Sequence, residues 1–556
     1  MMERDGAFTW EENDLLGGIR QDSTESIRRY RKIQNLQLFN EGAITKDLGL
    51  RQLSGTTIGS STLDTLAGYD CHFNDETQIL AVIQEGASNA DLWTYDNNTK
   101  TFSAQSRTIA NDVRVDMIMF ADKLHILDGV TLQTMTSGKT WATPGDATYS
   151  NPCFFGAVYA NRLIIAGNAT YPYSFFPSGL RDSGTWDASL AVDVTGAQGE
   201  QITALGTMGQ FLIVGGRTFT RAYYLGTASP RDWDWDEISA LTGPAHHASF
   251  VSIPSTHGQS GRNVAFFWSV DGPMMLIQEG EGIPKMVSLV PPIVKAVRGL
   301  DHQDLDGLAV DRYSDVQGVY VPEYDEVRFS VTKKTTFAGG VSKHDECYCL
   351  NLTSALRSAQ GQQGAYPYWR VRNNTNKSLP VQTIFQARMH PDSHLPSNVG
   401  VVRCLCAQDG YVYEMDSRAQ YKDSIEGTEY SISMLARRDG YDGVEDGVRN
   451  HTKSARQVYA RTTLVGNYDL FIKLVADGGA REKSKSVDLS GDLNEWGDSR
   501  DWGDGTLWNA GDFVNARATP AVLGKKFDIE FYDNGNIEGE FQMNSFSILG
   551  FVEDRR

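Results

Sequence analysis

Cysteine is scarce in this chain, six in 556 residues. That is too few for a disulfide scaffold, and it fits a reducing compartment. Long apolar runs are missing as well. No stretch approaches the ~18–20 residues that a membrane-crossing helix needs, so no stable membrane insertion is expected. The opening residues, MMERDGAFTWEEND, lack the basic and apolar regions of a secretory signal, and synthesis in a cytoplasm is the expectation. Positive charge is in deficit, with 51 Lys and Arg against 70 Asp and Glu, a net −19. A DNA-binding module needs a basic face to collect phosphates, so that class is disfavoured. The same balance suits a soluble assembly part, or a channel wall past which nucleic acid slides without sticking.

What is abundant is turn and strand material: 54 Gly, 23 Tyr, 24 Phe and 11 Trp. The length calls for two to four domains. A pattern recurs at MIMFADKLHILDG (117–129), GAVYANRLIIAGN (156–168) and LGTMGQFLIVGGR (205–217). Each copy is an apolar run, a short polar or Gly turn, then an alternating run, which is the signature of a β-hairpin. Related hairpins stand at 73–96, 263–278, 318–352 and 401–416. Hairpins recurring every ~40–50 residues suggest a radial β array, so the expectation is an all-β chain with a β-propeller of six or seven blades over 56–420. The stretches 226–249 and 371–396 read as inserted loops.

The two ends follow another grammar. Residues 1–55 read as an extended arm with one or two strands that docks on a later domain. They carry a cationic run, Arg28, Arg29, Arg31 and Lys32. Residues 421–556 alternate again: ARQVYARTTLV (455–465) and YDLFIKLVAD (468–477) read as a strand pair, and 527–551 as further strands. Five or so antiparallel strands predict a C-terminal β-sandwich.

Candidate chemistry is thin. MTSGKTW (135–141) lacks the leading Gly and the strand-to-helix context of a phosphate loop. It resembles one Asp-box of sialidase propellers, with Thr136 where the Asp would stand, and such a box marks a turn rather than a catalytic centre. Cys347 with Cys349 and Cys404 with Cys406 would suit zinc only if their strands were neighbours, and buried apolar thiols are the plainer reading. Asp439, Asp442 and Asp446, and Asp498, Asp501 and Asp504, lack calcium spacing and read as solvated turns. His246-His247, in a Gly-Pro-Ala loop, reads as surface. The aromatic loops are the better candidates. Trp233 and Trp235 in RDWDWDE, and Tyr366 and Trp369 in YPYWRV, are expected to anchor protein partners or, less readily, sugars. No catalytic residue, cofactor or metal is assigned.

Taken together, Gly17-Gly18-Ile19, Asn35-Leu36 and the segment Gly42 to Gly49, with the closing stretches 454–478, 523–531 and 541–556, resemble the nozzle, or tail tubular, proteins of short-tailed bacteriophages. Asp47-Leu48 stand where that family has Arg-Pro. The resemblance implies a non-enzymatic virion protein of the phage tail, assembled in the host cytoplasm. It implies a homo-oligomeric ring, commonly hexameric, below the portal and adaptor proteins, with tail fibres attached and genomic DNA passing through its lumen. It also implies that the arm, Arg28 to Lys32 included, reaches a neighbouring subunit, so that removing residues 1–40 would leave a folded monomer unable to assemble. A carbohydrate-binding or sialidase-like propeller is the alternative, and a cytoplasmic propeller scaffold a third class.

Overall fold

The computed structural model describes residues 7–12, 30–38, 43–111, 113–144, 152–194, 200–225, 229–253, 262–280, 282–301, 306–335, 344–361, 366–391, 393–417, 421–441, 451–463, 469–489, 513–535, 537 and 541–553. The hairpins expected from the sequence form the repeating unit. Asp116–Phe120 pairs with Lys123–Leu127, and Phe155–Tyr159 with Arg162–Ala166. Their two-residue turns hold both residues at positive φ: 48° and 60° at Ala121-Asp122, 51° and 56° at Ala160-Asn161. This is the primed-turn geometry whose twist matches that of the flanking strands.

Each hairpin grows by antiparallel neighbours into a small sheet. In chain order the sheets run over 65–104, 116–142, 155–186, 204–239, 251–288, 317–372 and 383–417. The first strands of these sheets are Thr65–His72, Asp116–Phe120, Phe155–Tyr159, Ala204–Met208, Val251–Ile253, Gln317–Val321 and Thr383–Met389. Each lies against the next, and the last lies against the first. A closed circle of first strands is the mark of a β-propeller, and that is the fold.

Crowding at the axis selects small residues there. A Cβ on Gly206 would stand 2.0 Å from the Phe250 ring, and one on Gly68 2.2 Å from Phe385, each ring reaching in from a neighbouring sheet. Gly206→Val therefore forces Phe250 from its place, and a loss of roughly 1–3 kcal/mol is expected in urea unfolding, as overpacked cores show.

Several expectations need correction. The stretches read as inserted loops each hold a strand: Asp234–Ser239 is the outermost strand of the 204–239 sheet, and Thr383–Met389 the innermost of the last. The 455–465 and 468–477 runs do not pair. Lys453–Thr463 joins Gln542–Val552 in a seven-stranded sheet, whereas Asp469–Ala476 joins Phe527–Tyr532 in a nine-stranded one. The two sheets share one core, with Val458, Phe546 and Ile548 from the first and Leu470, Ile472 and Phe531 from the second.

The arm is structural rather than appended. Ala7–Glu12 pairs with Gln542–Val552. Tyr30–Gln34 sits inside the nine-stranded sheet, with Leu435–Tyr441 on one side and the propeller strand Trp369–Arg372 on the other. Gly49–Gln52 then supplies the fourth strand of the 383–417 sheet. Tyr30 and Ile33 are fully buried, so removing residues 1–40 takes away core strands, and the truncated chain is expected to lose stability as well as any contact the arm makes.

Candidate functional site: the axial cavity and the charged seam

Because the first strands circle the axis, the side chains at their ends meet in a cavity of about 600 Å3. Two carboxylate–imidazole pairs line it. Asp70 Oδ2 is 2.7 Å from His72 Nε2, and Asp116 Oδ2 is 3.2 Å from His247 Nε2. Asp70 is held by Gln78 Nε2 at 2.7 Å and by the Arg388 amide at 2.8 Å. Asp116 accepts from the Gly156 amide at 2.9 Å, and the His247 ring stacks on Phe155 with centroids 5.1 Å apart. His246 beside them is neutral: burial, then the charges of Arg114 and His247, push its pKa down to about 3. The histidine pair read as surface thus lines the axis. Such pairs fix an imidazole tautomer and suit polar ligands or proton exchange.

The second locus is a row of buried charges where the arm, two propeller sheets and the chain beyond them meet. Arg370 and Arg372 lie two apart on one strand and so point the same way. Arg370 Nη1 donates to both Asp47 oxygens at 3.0 and 2.8 Å, while its Nε and Nη2 reach the two Glu326 oxygens at 2.6 and 2.8 Å. Arg372 Nη2 donates to Asp423 Oδ1 at 2.5 Å and to the Leu48 carbonyl at 3.2 Å. Arg328 Nη1 stands 2.5 Å from Asp416. A short way off, Lys46 Nζ meets Asp533 at 2.5 Å, tying the arm to the C-terminal sheets.

All of these groups are buried. Four carboxylates (Asp47, Glu326, Asp416, Asp423) face three guanidiniums (Arg328, Arg370, Arg372), which leaves one negative charge in excess. The excess falls on Asp47: burial, with Asp416 and Glu326 nearby, raises its pKa to about 6 despite Arg370. For Asp416 burial pushes upward too, but Arg328, Arg370 and Arg372 together hold it below the usual carboxylate range.

The expected site residues scatter. Trp369 is fully buried, its Nε1 donating to the Leu289 carbonyl at 3.2 Å, and Trp233 is buried edge-on to Tyr159. Neither is on the surface. Alternation explains Trp369: it and Val371 face the core while Arg370 and Arg372 face the seam. Trp235, 41% exposed, lies on the outer strand Asp234–Ser239 with Arg221 stacked 4.1 Å above its ring. Tyr366 is half-buried. Arg31 and Lys32 lie on the strand Tyr30–Gln34, and Arg28 and Arg29 are outside the described residues.

The two Cys-x-Cys pairs do enter one core cluster. Burial pushes Cys404 up to about 12 and raises Cys349 and Cys406 well above the ordinary thiol value, which holds these three as thiols, whereas zinc takes thiolates. Among the described residues no group of three or more His, Cys, Asp or Glu is placed to hold a metal. Asp439 lies on the strand Leu435–Tyr441, and Asp442, Asp446, Asp498, Asp501 and Asp504 are outside the described residues. No described helix is long and apolar enough to cross a membrane.

The seam had no local signal: its members are up to hundreds of positions apart, Asp47 and Arg370 by 323. The nearest clue was the strand WRVR, whose alternation places two arginines on one face.

The strand order defines the class of protein as a β-propeller joined to a further pair of β-sheets. No family model matches the chain, and no curated protein matches it. Among solved structures, one similar chain is in a complex titled as S. cerevisiae Dbp5 bound to Nup159, Gle1, IP6 and ADP. It shares 10% identity at a TM-score of 0.34, covering 73% of this chain and 99% of that one. The N-terminal domain of Nup159 is similar at 12% identity and a TM-score of 0.34, covering 69% and 98%. Likeness at that level carries no functional argument.

Proposed function

We propose that this chain is a non-enzymatic structural subunit, a seven-bladed propeller mounted on a β-sandwich platform. In this reading it builds the ring-shaped nozzle of a short-tailed phage particle. The platform closes a homo-oligomeric ring beneath the portal and adaptor proteins, tail fibres attach outside, and genomic DNA passes through the lumen of the ring, not through the small axial cavity of one subunit. The observation that carries the reading is the nine-stranded sheet running from the propeller strand Trp369–Arg372, through the arm strand Tyr30–Gln34, into the C-terminal strands. Backbone hydrogen bonds across the junction, with the charged seam beside it, make propeller and platform one stiff lever, as a mount that transmits force requires. A net −19 suits a wall that must not hold DNA.

The test is to image the full-length chain by electron microscopy, alone and with a portal–adaptor complex. Closed rings of one stoichiometry are expected. A chain that stays monomeric in both conditions refutes the reading. The axial cavity favours a second reading, a carbohydrate-binding or sialidase-like propeller, because about 600 Å3 falls in the ~300–1,000 Å3 range of small-ligand pockets. Saturable binding or hydrolysis of glycans, lost in Asp116→Asn, would favour it.

A further inference from the structure

Two strands end their sheets with opposite charge. Arg481–Asp488, REKSKSVD, closes the nine-stranded sheet and pairs with Asp469–Ala476 alone among the described strands. Residues 481–486 are exposed. Arg481, Lys483 and Lys485 share one face, opposite Ala476, Leu474 and Ile472. Arg481 reaches the Leu523 carbonyl, but Lys483 and Lys485 form no ion pair with a described carboxylate. Asp234–Ser239, DWDEIS, closes the 204–239 propeller sheet. Asp234 and Asp236 share one face, opposite Tyr224 and Ala222, and pair with no described cation. Trp235 stands half-exposed on the other face.

A strand at a sheet edge offers a row of free N–H and C=O groups to another strand, and charges on it decide which strand is accepted. Like charges across a strand pair repel and opposite charges attract. REKSKS is therefore guarded against a second REKSKS, and DWDE against a second DWDE, while each fits the other. Isologous contact is blocked and the heterologous one is left open, the only kind that closes copies head-to-tail into a ring.

We propose that the basic edge strand Arg481–Asp488 of one copy docks along the acidic edge strand Asp234–Ser239 of a second copy of this chain. The proposal rests on the ring-forming reading above and names its contact. Lys483, Lys485 and Asp234 are exposed and Asp236 is half-buried, and neither reversal alters a core residue. The full-length chain is compared by sedimentation velocity across concentration and salt as wild type, as Lys483→Glu with Lys485→Glu, as Asp234→Lys with Asp236→Lys, and with all four together. The wild type is expected to associate and to weaken with salt. Each double reversal should raise the midpoint concentration at least tenfold, and the fourfold variant should return it to within about threefold of wild type. Association unchanged by either reversal, or no recovery in the fourfold variant, overturns this contact while leaving the ring reading standing. A wild type that associates neither alone nor with a portal–adaptor complex overturns both. A disulfide between Lys485→Cys and Asp236→Cys in mixed copies, absent from either alone, reads the contact directly.

Discussion

Arg370→Ala destabilises the fold by roughly 3–5 kcal/mol, the cost of leaving buried carboxylates without their partner. Arg370 alone bridges Asp47 on the arm and Glu326 on the propeller, through four donor contacts of 3.0 Å or less. Removing it leaves buried Asp47 with only Arg372, 3.8 Å away, and buried Glu326 with only Arg328, at 3.0 Å. The midpoint of urea unfolding checks the magnitude. Arg370→Lys retains the charge but not the planar fork, and falls between wild type and Arg370→Ala. If Arg370→Ala unfolds with wild-type stability, the seam contributes nothing to the joint.

Asp47→Asn separates the charge count from the bridging. The Asp47 pKa is raised from 3.8 to about 6 in the folded chain, chiefly by burial. A carboxyl that binds its proton more tightly when folded gives stability that is full below pH 3.8 and is lost as pH rises through about 6. The stability of wild type relative to Asp47→Asn should therefore fall between pH 4 and pH 7. Asp416, held low by three arginines, works in the opposite direction, its contribution present above 3.8 and lost on acidification. Comparing Asp47→Asn with Asp416→Asn at matched pH tells the residues apart.

Hairpins such as 117–129 and 156–168 were legible because a tight turn is local chemistry: two residues at positive φ between alternating runs. The innermost strands were harder. Val251–Ile253 spans three residues, and Thr383–Met389 follows an Asn- and Pro-rich stretch that reads as a loop. Adjacency in sequence suggests a hairpin between Lys453–Thr463 and the run that follows it, whereas the shared core places the two on different sheets. Trp369 and Trp233 read as surface anchors because turn-rich neighbours mask strand alternation. Asp47, which departs from the nozzle pattern, became central only when folding brought Arg370 to it. Long-range electrostatics leaves no spacing to read.

Leu50→Ala loosens the propeller where its circle closes. Leu50 lies on the strand Gly49–Gln52, fully buried against Val321, Cys406 and Tyr413, and its amide donates to Asp423 Oδ1 at 3.0 Å. Truncating a buried Leu costs ~2–5 kcal/mol through lost burial and the cavity left behind. The effect should be unevenly spread. The closing strand comes from the arm and the other three strands of its sheet from 383–417, so this sheet is held by a contact distant in sequence. Its loss exposes the edge of Tyr411–Ser417 and frees the seam carboxylate Asp423 from one donor. Hydrogen exchange should therefore rise first in Tyr411–Ser417 and in Lys422–Ile425, while Phe155–Tyr159, across the circle, keeps its protection. Uniform loss of protection through every sheet would mean that the arm strand is only one contact among many. Protection lost at the last sheet alone would identify Gly49–Gln52 as the clasp.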